Sequence, residues 1–93
     1  MATRPRLYSD TSAAAYRSIQ YVAETMRQMV YRYIDEHGTA TCDEIEEALG
    51  MHHATCSTRI NELVAAGRLV DTGARRRTRS GRMARVLRVT RQV

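Results

Sequence analysis

Residues 41–67 read TCDEIEEALGMHHATCSTRINELVAAG, and their reading decides the fold. Thr41 is placed to cap a helix, with Glu44 three residues on. That pair is the signature of a capping box, in which each side chain satisfies a backbone N–H left open by the new helix. Ile45, Ala48 and Leu49 share one face. Gly50 ends the helix, because positive φ costs glycine least. After Met51 and His52 a second helix starts at His53. Its apolar positions Cys56, Ile60, Leu63 and Val64 are spaced i, i+4, i+7, i+8, and Gly67 ends it. The expectation is two short helices about a tight, glycine-containing turn.

With Cys56, Ile60, Leu63 and Val64 inward, the second helix turns His53, Thr55, Ser57, Thr58, Arg59, Asn61 and Glu62 outward. Short hydroxyls and an Asn can both donate and accept at a base edge or a phosphate. Arg59 could take guanine or a phosphate. His52 stands where Ser, Thr or Asp would normally cap, so this helix start lacks its usual side-chain acceptor.

Behind the pair, Leu69-Val70 opens a strand and Asp71-Thr72-Gly73 signals a turn or bulge. Arg75, Arg76, Arg77, Arg79 and Arg82 follow, with Ser80-Gly81 near the tip of a hairpin. The return strand alternates Ala84, Val86 or Leu87, and Val89 against Arg85, Arg88 and Arg91. The five arginines from Arg75 to Arg82 would grip phosphate and give a steep salt dependence, and the tip could enter a minor groove. The plainer alternative, a sheet edge blunted by charge, leaves their mutual repulsion without an offsetting partner.

The segments ALGMHHATCSTRINELVAAGRLV and RRRTRSGRMARVLRV together resemble winged helix-turn-helix DNA-binding proteins, small phage or bacterial regulators in particular. The likeness covers roughly residues 22–90. It implies a mainly α fold with a small antiparallel β-hairpin, preceded here by a long N-terminal helix. It also implies that His53, Ala54, Ser57, Thr58 and Arg59 face the major groove, with Thr55 near the backbone. The partner it implies is double-stranded DNA, and the place is the cytoplasm, on the nucleoid.

Upstream, residues 1–10 suggest a flexible basic arm, since Pro5 and the lack of periodicity argue against regular structure. Arg4 and Arg6 could reach a groove, or the arm could be untethered. A winged-helix domain then spans 11–93, with its N-terminal helix at 11–37, the helix pair at 41–67 and the wing at 68–90. Ala13-Ala14-Ala15 favours helix. Tyr16, Ile19, Val22, Met26 and Met29 continue an apolar stripe through it. Only the second half of this helix is needed to cover the domain's own core. The first half therefore predicts a homodimer through Tyr16, Ile19, Val22, Met26 and Met29, unless the segment folds back as a separate short helix. Thr39-Ala40-Thr41 is placed to pair with the hairpin.

Net charge is +5, and all fifteen basic residues are Arg. GC-rich coding could produce the same bias, so the distribution matters more. Residues 1–34 carry +3, residues 35–67 carry −6 and residues 68–93 carry +8. One strongly positive end is the footprint of a polyanion partner. Asp43, Glu44, Glu46 and Glu47 favour a helix dipole or face water, set back from phosphate. There is no 18-residue apolar run and no apolar export segment, so no membrane association is expected. Cys42 and Cys56 are expected reduced. His52, His53 and Cys56 do not converge on four ligands, so no metal and no cofactor is expected. No nucleophile–base pair or phosphate loop points to an enzyme. Two rival readings remain: a protein–protein adaptor docking through the acidic helix, and a non-specific nucleic-acid binder using the wing alone.

Overall fold

The computed structural model describes residues 3–91, with side chains from residue 13 onward. The order is α1 (Thr3–His37), α2 (Cys42–Leu49), α3 (His53–Ala65), β1 (Leu69–Arg77) and β2 (Met83–Val89). Mainly α architecture with one antiparallel hairpin is therefore what the chain adopts.

Local chemistry sets the element ends as the residues require. Glu44 N–H donates to Thr41 Oγ1 at 3.2 Å, and Thr41 N–H donates to Glu44 Oε1 at 3.1 Å. The capping box is complete. Gly50 closes α2 at φ 66°, in the left-handed region where a Cβ is costly. At the end of α3, Arg68 N–H reaches Leu63 O at 2.9 Å and Gly67 N–H reaches Val64 O at 3.0 Å. That crossed pair is the Schellman closure, which satisfies carbonyls the helix leaves open. The start of α3 has no such help, because the His52 side chain makes no cap bond.

The core is one cluster shared by all the elements: Val30, Ile34, Ala40, Ile45, Cys56, Ile60, Leu63, Leu69, Leu87 and Val89. Each of its larger aliphatic side chains contributes about 1.5–3 kcal/mol by leaving water. Ala40 and Leu87 exchange backbone bonds at 3.1 and 2.9 Å, which docks the hairpin onto the segment before α2. In β2 both Val86 and Leu87 are buried, so the expected alternation breaks there. Ala48, expected on the inner face of α2, is exposed.

The hairpin departs from ideal pairing at the predicted turn signal. Asp71 pairs with Leu87 but Arg75 pairs with Arg85, so β1 uses two residues more than β2 over that stretch. Gly73 absorbs the bulge at φ 87°, and its N–H donates to Asp71 Oδ1 at 2.9 Å. Arg75, Arg76 and Arg77 consequently lie within β1, and the tip is the five residues from Thr78 to Arg82.

One expectation is corrected. The irregular basic arm over residues 1–10 gives way to helix from Thr3, continuous to His37; Met1 and Ala2 lie outside the described residues. Pro5 sits in the first turn, where a missing N–H breaks no internal bond. The helix is about 52 Å long at 1.5 Å per residue. It accounts for a longest dimension of 61 Å. The radius of gyration is 17.4 Å. A compact chain of this length would have about 12 Å, so the first half of α1 projects clear of the domain. Among the described residues no helix is long and apolar enough to cross a membrane.

Candidate nucleic-acid interface

The outer face of α3 and the hairpin form one surface. Arg85 Nη2 on β2 donates to Asn61 Oδ1 on α3 at 2.6 Å. His53, at the start of α3, lines a cleft of about 480 Å³ with Thr78, Ser80 and Arg82 of the wing tip. The tip is held by Thr78 N–H to Arg82 O at 2.7 Å and Gly81 N–H to Thr78 O at 2.9 Å.

The expected reading set divides. His53, Thr58 and Asn61 are exposed, while Thr55 and Ser57 are half-buried. The Thr58 hydroxyl donates back to Ala54 O at 2.8 Å. Thr55 faces a small apolar pocket of about 170 Å³ at the α2–α3 turn, lined also by Met26, Met29 and Met51. Arg59 is drawn inward. Its side chain is only 16% exposed and lies along α3, with Nε 3.0 Å from Glu62 Oε1. Glu62 also accepts from Arg27 Nη1 of α1 at 2.8 Å. Arg59 thus shares Glu62 with Arg27 of α1.

The wing arginines divide as well. Arg76 Nη1 donates to both Glu44 oxygens at 2.7 Å, and Arg76 Nη2 donates to Thr39 Oγ1 at 3.0 Å. Arg79 donates from its backbone N–H to Asp43 Oδ2 at 3.0 Å and from Nε to Asp43 Oδ1 at 2.9 Å. Arg75 pairs with Asp71 at 3.0 Å within β1. Arg77 donates to Gly81 O at 3.1 Å. Neither Arg77 nor Arg82 has a carboxylate partner among the described residues. Asp43 and Glu44 of α2, expected to favour the helix dipole or face water, clasp the wing.

These contacts leave electrostatic signatures. The Arg79 side-chain bond, then its backbone bond, hold Asp43 below the usual carboxylate range, and Asp43 raises Arg79 in return. Asp71 is lowered first by the Gly73 N–H and then by Arg75. Burial pushes Glu46 upward, but hydrogen bonds from Cys42 and His53 outweigh it and leave Glu46 lowered. Contact with Cys56, then burial, then Glu46 raise the Cys42 thiol.

Sequence reading missed the partners of the wing and the meeting of Cys42, Glu46 and His53. Cys42 Sγ donates to Glu46 Oε2 at 3.0 Å, and His53 Nδ1 lies 2.7 Å from the same oxygen. The i, i+4 spacing of Cys42 and Glu46 was visible in the sequence. The approach of His53 depends on how α3 crosses α2. Cys56, weighed earlier beside His52 and His53, instead packs in the core.

The residues expected at a dimer seam differ in exposure. Tyr16, Ile19 and Val22 are 63, 64 and 47% exposed, and Met29 is 42% exposed. Met26 is half-buried against the turn pocket.

A three-helix unit with a tight α2–α3 turn and a basic hairpin on its exposed flank is a winged helix-turn-helix protein. The helix-turn-helix domain family matches residues 22–72, more than half of the chain, and the chain belongs to that family. The family binds DNA and is not defined by a catalytic activity. No curated protein matches the chain.

Proposed function

We propose that the chain is a sequence-specific, homodimeric transcriptional regulator acting on double-stranded DNA. The reading helix α3 enters the major groove through His53, Ser57, Thr58 and Asn61. Arg77 and Arg82 meet the backbone, while Arg75, Arg76 and Arg79 stay paired with Asp71, Glu44 and Asp43 in the native chain. The observation that carries this reading is the single exposed surface joining His53, Thr58 and Asn61 to the wing tip. Its polar side chains suit base edges, and its cations suit phosphates. Thr55 sits beside the backbone, and Arg59 steadies Glu62, the α3 residue that Arg27 of α1 binds.

The dimer reading rests on the projecting half of α1. A solitary amphipathic helix is marginal in water, and the exposed stripe of Tyr16, Ile19 and Val22 runs into Met26 and Met29 beside the turn pocket. A second copy covering that stripe would set the separation of two half-sites. The cytoplasmic, nucleoid-bound location follows from this function. The adaptor reading loses ground because the acids it needs are engaged: Asp43, Glu44 and Glu46 hold Arg79, Arg76 and His53.

Selection from a pool of random duplexes, with sequencing of the bound fraction, tests the function. A palindromic site, lost in Thr58→Ala and Asn61→Ala, is the expected result. Binding without enrichment would leave only a wing-driven, non-specific binder. Absence of binding at low salt would overturn the nucleic-acid reading for this chain.

A further inference from the structure

Cys42, Glu46 and His53 form a group whose chemistry DNA binding does not use. Cys42 and Glu46 lie one turn apart on α2, and His53 is the first residue of α3. Their Sγ, Oε2 and Nδ1 atoms are separated by 3.0, 2.7 and 4.0 Å. One thiol, one carboxylate and one imidazole are the donor types that zinc takes, at about 2.3 Å to sulfur and 2.0–2.2 Å to nitrogen and oxygen. Tetrahedral angles at those bond lengths place ligand atoms about 3.3–3.6 Å apart. Each observed separation differs from that range by well under 1 Å, a distance that small χ rotations cover.

The surroundings favour a cation with one position open. Glu46 is largely covered and Cys42 half-buried, so two of the three donors are held by α2. His53 is 77% exposed, and its Nδ1 already lies 2.7 Å from Glu46 Oε2. The group opens onto the cleft beneath the wing tip, leaving a fourth direction to solvent. Of the wing cations, Arg79 is turned to Asp43 rather than to Glu46, and Arg82 lines the far side of the same cleft.

We propose that Cys42, Glu46 and His53 bind a zinc-class divalent cation in an open three-ligand site bridging α2 and α3. On binding, the thiol of Cys42 loses its proton to solvent, forming the metal–thiolate bond, and the imidazole coordinates through the Nδ1 lone pair. Glu46 exchanges its hydrogen bonds for a metal–oxygen bond. The cation supplies the tie that the uncapped start of α3 lacks. It also fixes His53 on α2, where Glu46 already holds it, and so away from a base edge. That last consequence rests on the DNA-binding reading above, whereas the site itself does not.

Titration of the full chain, reduced by a non-thiol reductant, with Co²⁺ tests the site without DNA. One Co²⁺ per chain is expected, with a sulfur-to-metal charge-transfer band and the intense visible bands of tetrahedral cobalt, all displaced by Zn²⁺. Cys42→Ser should abolish the charge-transfer band, and Cys56→Ala should keep it. His53→Gln changes an exposed residue and leaves the fold intact by far-ultraviolet circular dichroism; it should lose the tetrahedral bands. A wild-type chain without a charge-transfer band would overturn the proposal. So would a band that survives Cys42→Ser, or an unchanged spectrum in His53→Gln.

Discussion

Neutralising the two carboxylates that clasp the wing should change how DNA binding responds to salt. Asp43→Asn with Glu44→Gln removes the partners of Arg79 and Arg76. Gln at the third helical position still completes a capping box with Thr41, so α2 keeps its start. Exposed ion pairs are weak because water competes for both partners, and both pairs have exposed arginines, 43% for Arg76 and 55% for Arg79. Of Arg75, Arg76, Arg77, Arg79 and Arg82, the two without a carboxylate partner among the described residues are Arg77 and Arg82. Each phosphate neutralised adds about 0.9 to the slope of log K against log salt. Two such contacts predict a wing contribution near 1.8 per chain, or about a 12-fold loss of affinity between 50 and 200 mM salt. Freeing Arg76 and Arg79 should double the slope to about 3.6, or about a 150-fold loss over the same range. Fluorescence anisotropy on one labelled duplex at several salt concentrations reads the slope directly. Glu36→Gln, an exposed acid on α1, checks the influence of net charge alone and should leave the slope unchanged. Parallel lines for the native chain and the double variant would refute the reasoning. Arg76 and Arg79 would then either already meet phosphate with the acids in place or never reach it.

Leu87→Ala opens a cavity where β2 docks beneath Ala40 and should cost about 2–5 kcal/mol, lowering Tm by about 10 °C or more in a thermal melt. Thr41→Ala removes a buried cap and should cost about 1 kcal/mol by urea denaturation, with α2 fraying first in hydrogen exchange. Ile19→Asp with Val22→Asp should yield a monomer in sedimentation and, if α1 relies on a second copy, a loss of helical signal upstream of Ala23. An unchanged sedimentation coefficient would refute the dimer surface. The pH response follows from lowered carboxylates at Glu24, Asp43, Glu46 and Asp71. A carboxyl lowered in the folded state contributes stability that is fully present above its unfolded value, near 4, and is lost as pH falls through the folded value. Urea midpoints should therefore stay flat with respect to these groups from pH 7 to about 5 and fall below about 4, less steeply in Asp43→Asn.

What the residues alone determined is local. Thr41 with Glu44 and Gly50 set the ends of α2 because their bonds join neighbours within one turn. The inward faces of α2 and α3, through Ile45, Ile60 and Leu63, followed from helical period, and Gly73 and Gly81 marked the bulge and the tip of the hairpin. Ala48 and the Val86–Leu87 pair escaped that pattern, because burial there depends on what lies opposite. The start of α1 escaped it too, since Pro5 is a breaker inside a helix and harmless in its first turn. The chain is sharply polarised along its length, acidic in the middle and basic at the end, yet the fold lays one charge against the other. Asp43 meets Arg79 across 36 positions and Glu44 meets Arg76 across 32. Glu62 takes Arg59 inward because Arg27 of α1 shares the same carboxylate. No periodicity carries such pairings. They arise where β2 docks on Ala40 and α3 crosses α2, and so only the tertiary structure decided which cations remain uncommitted and which are already held.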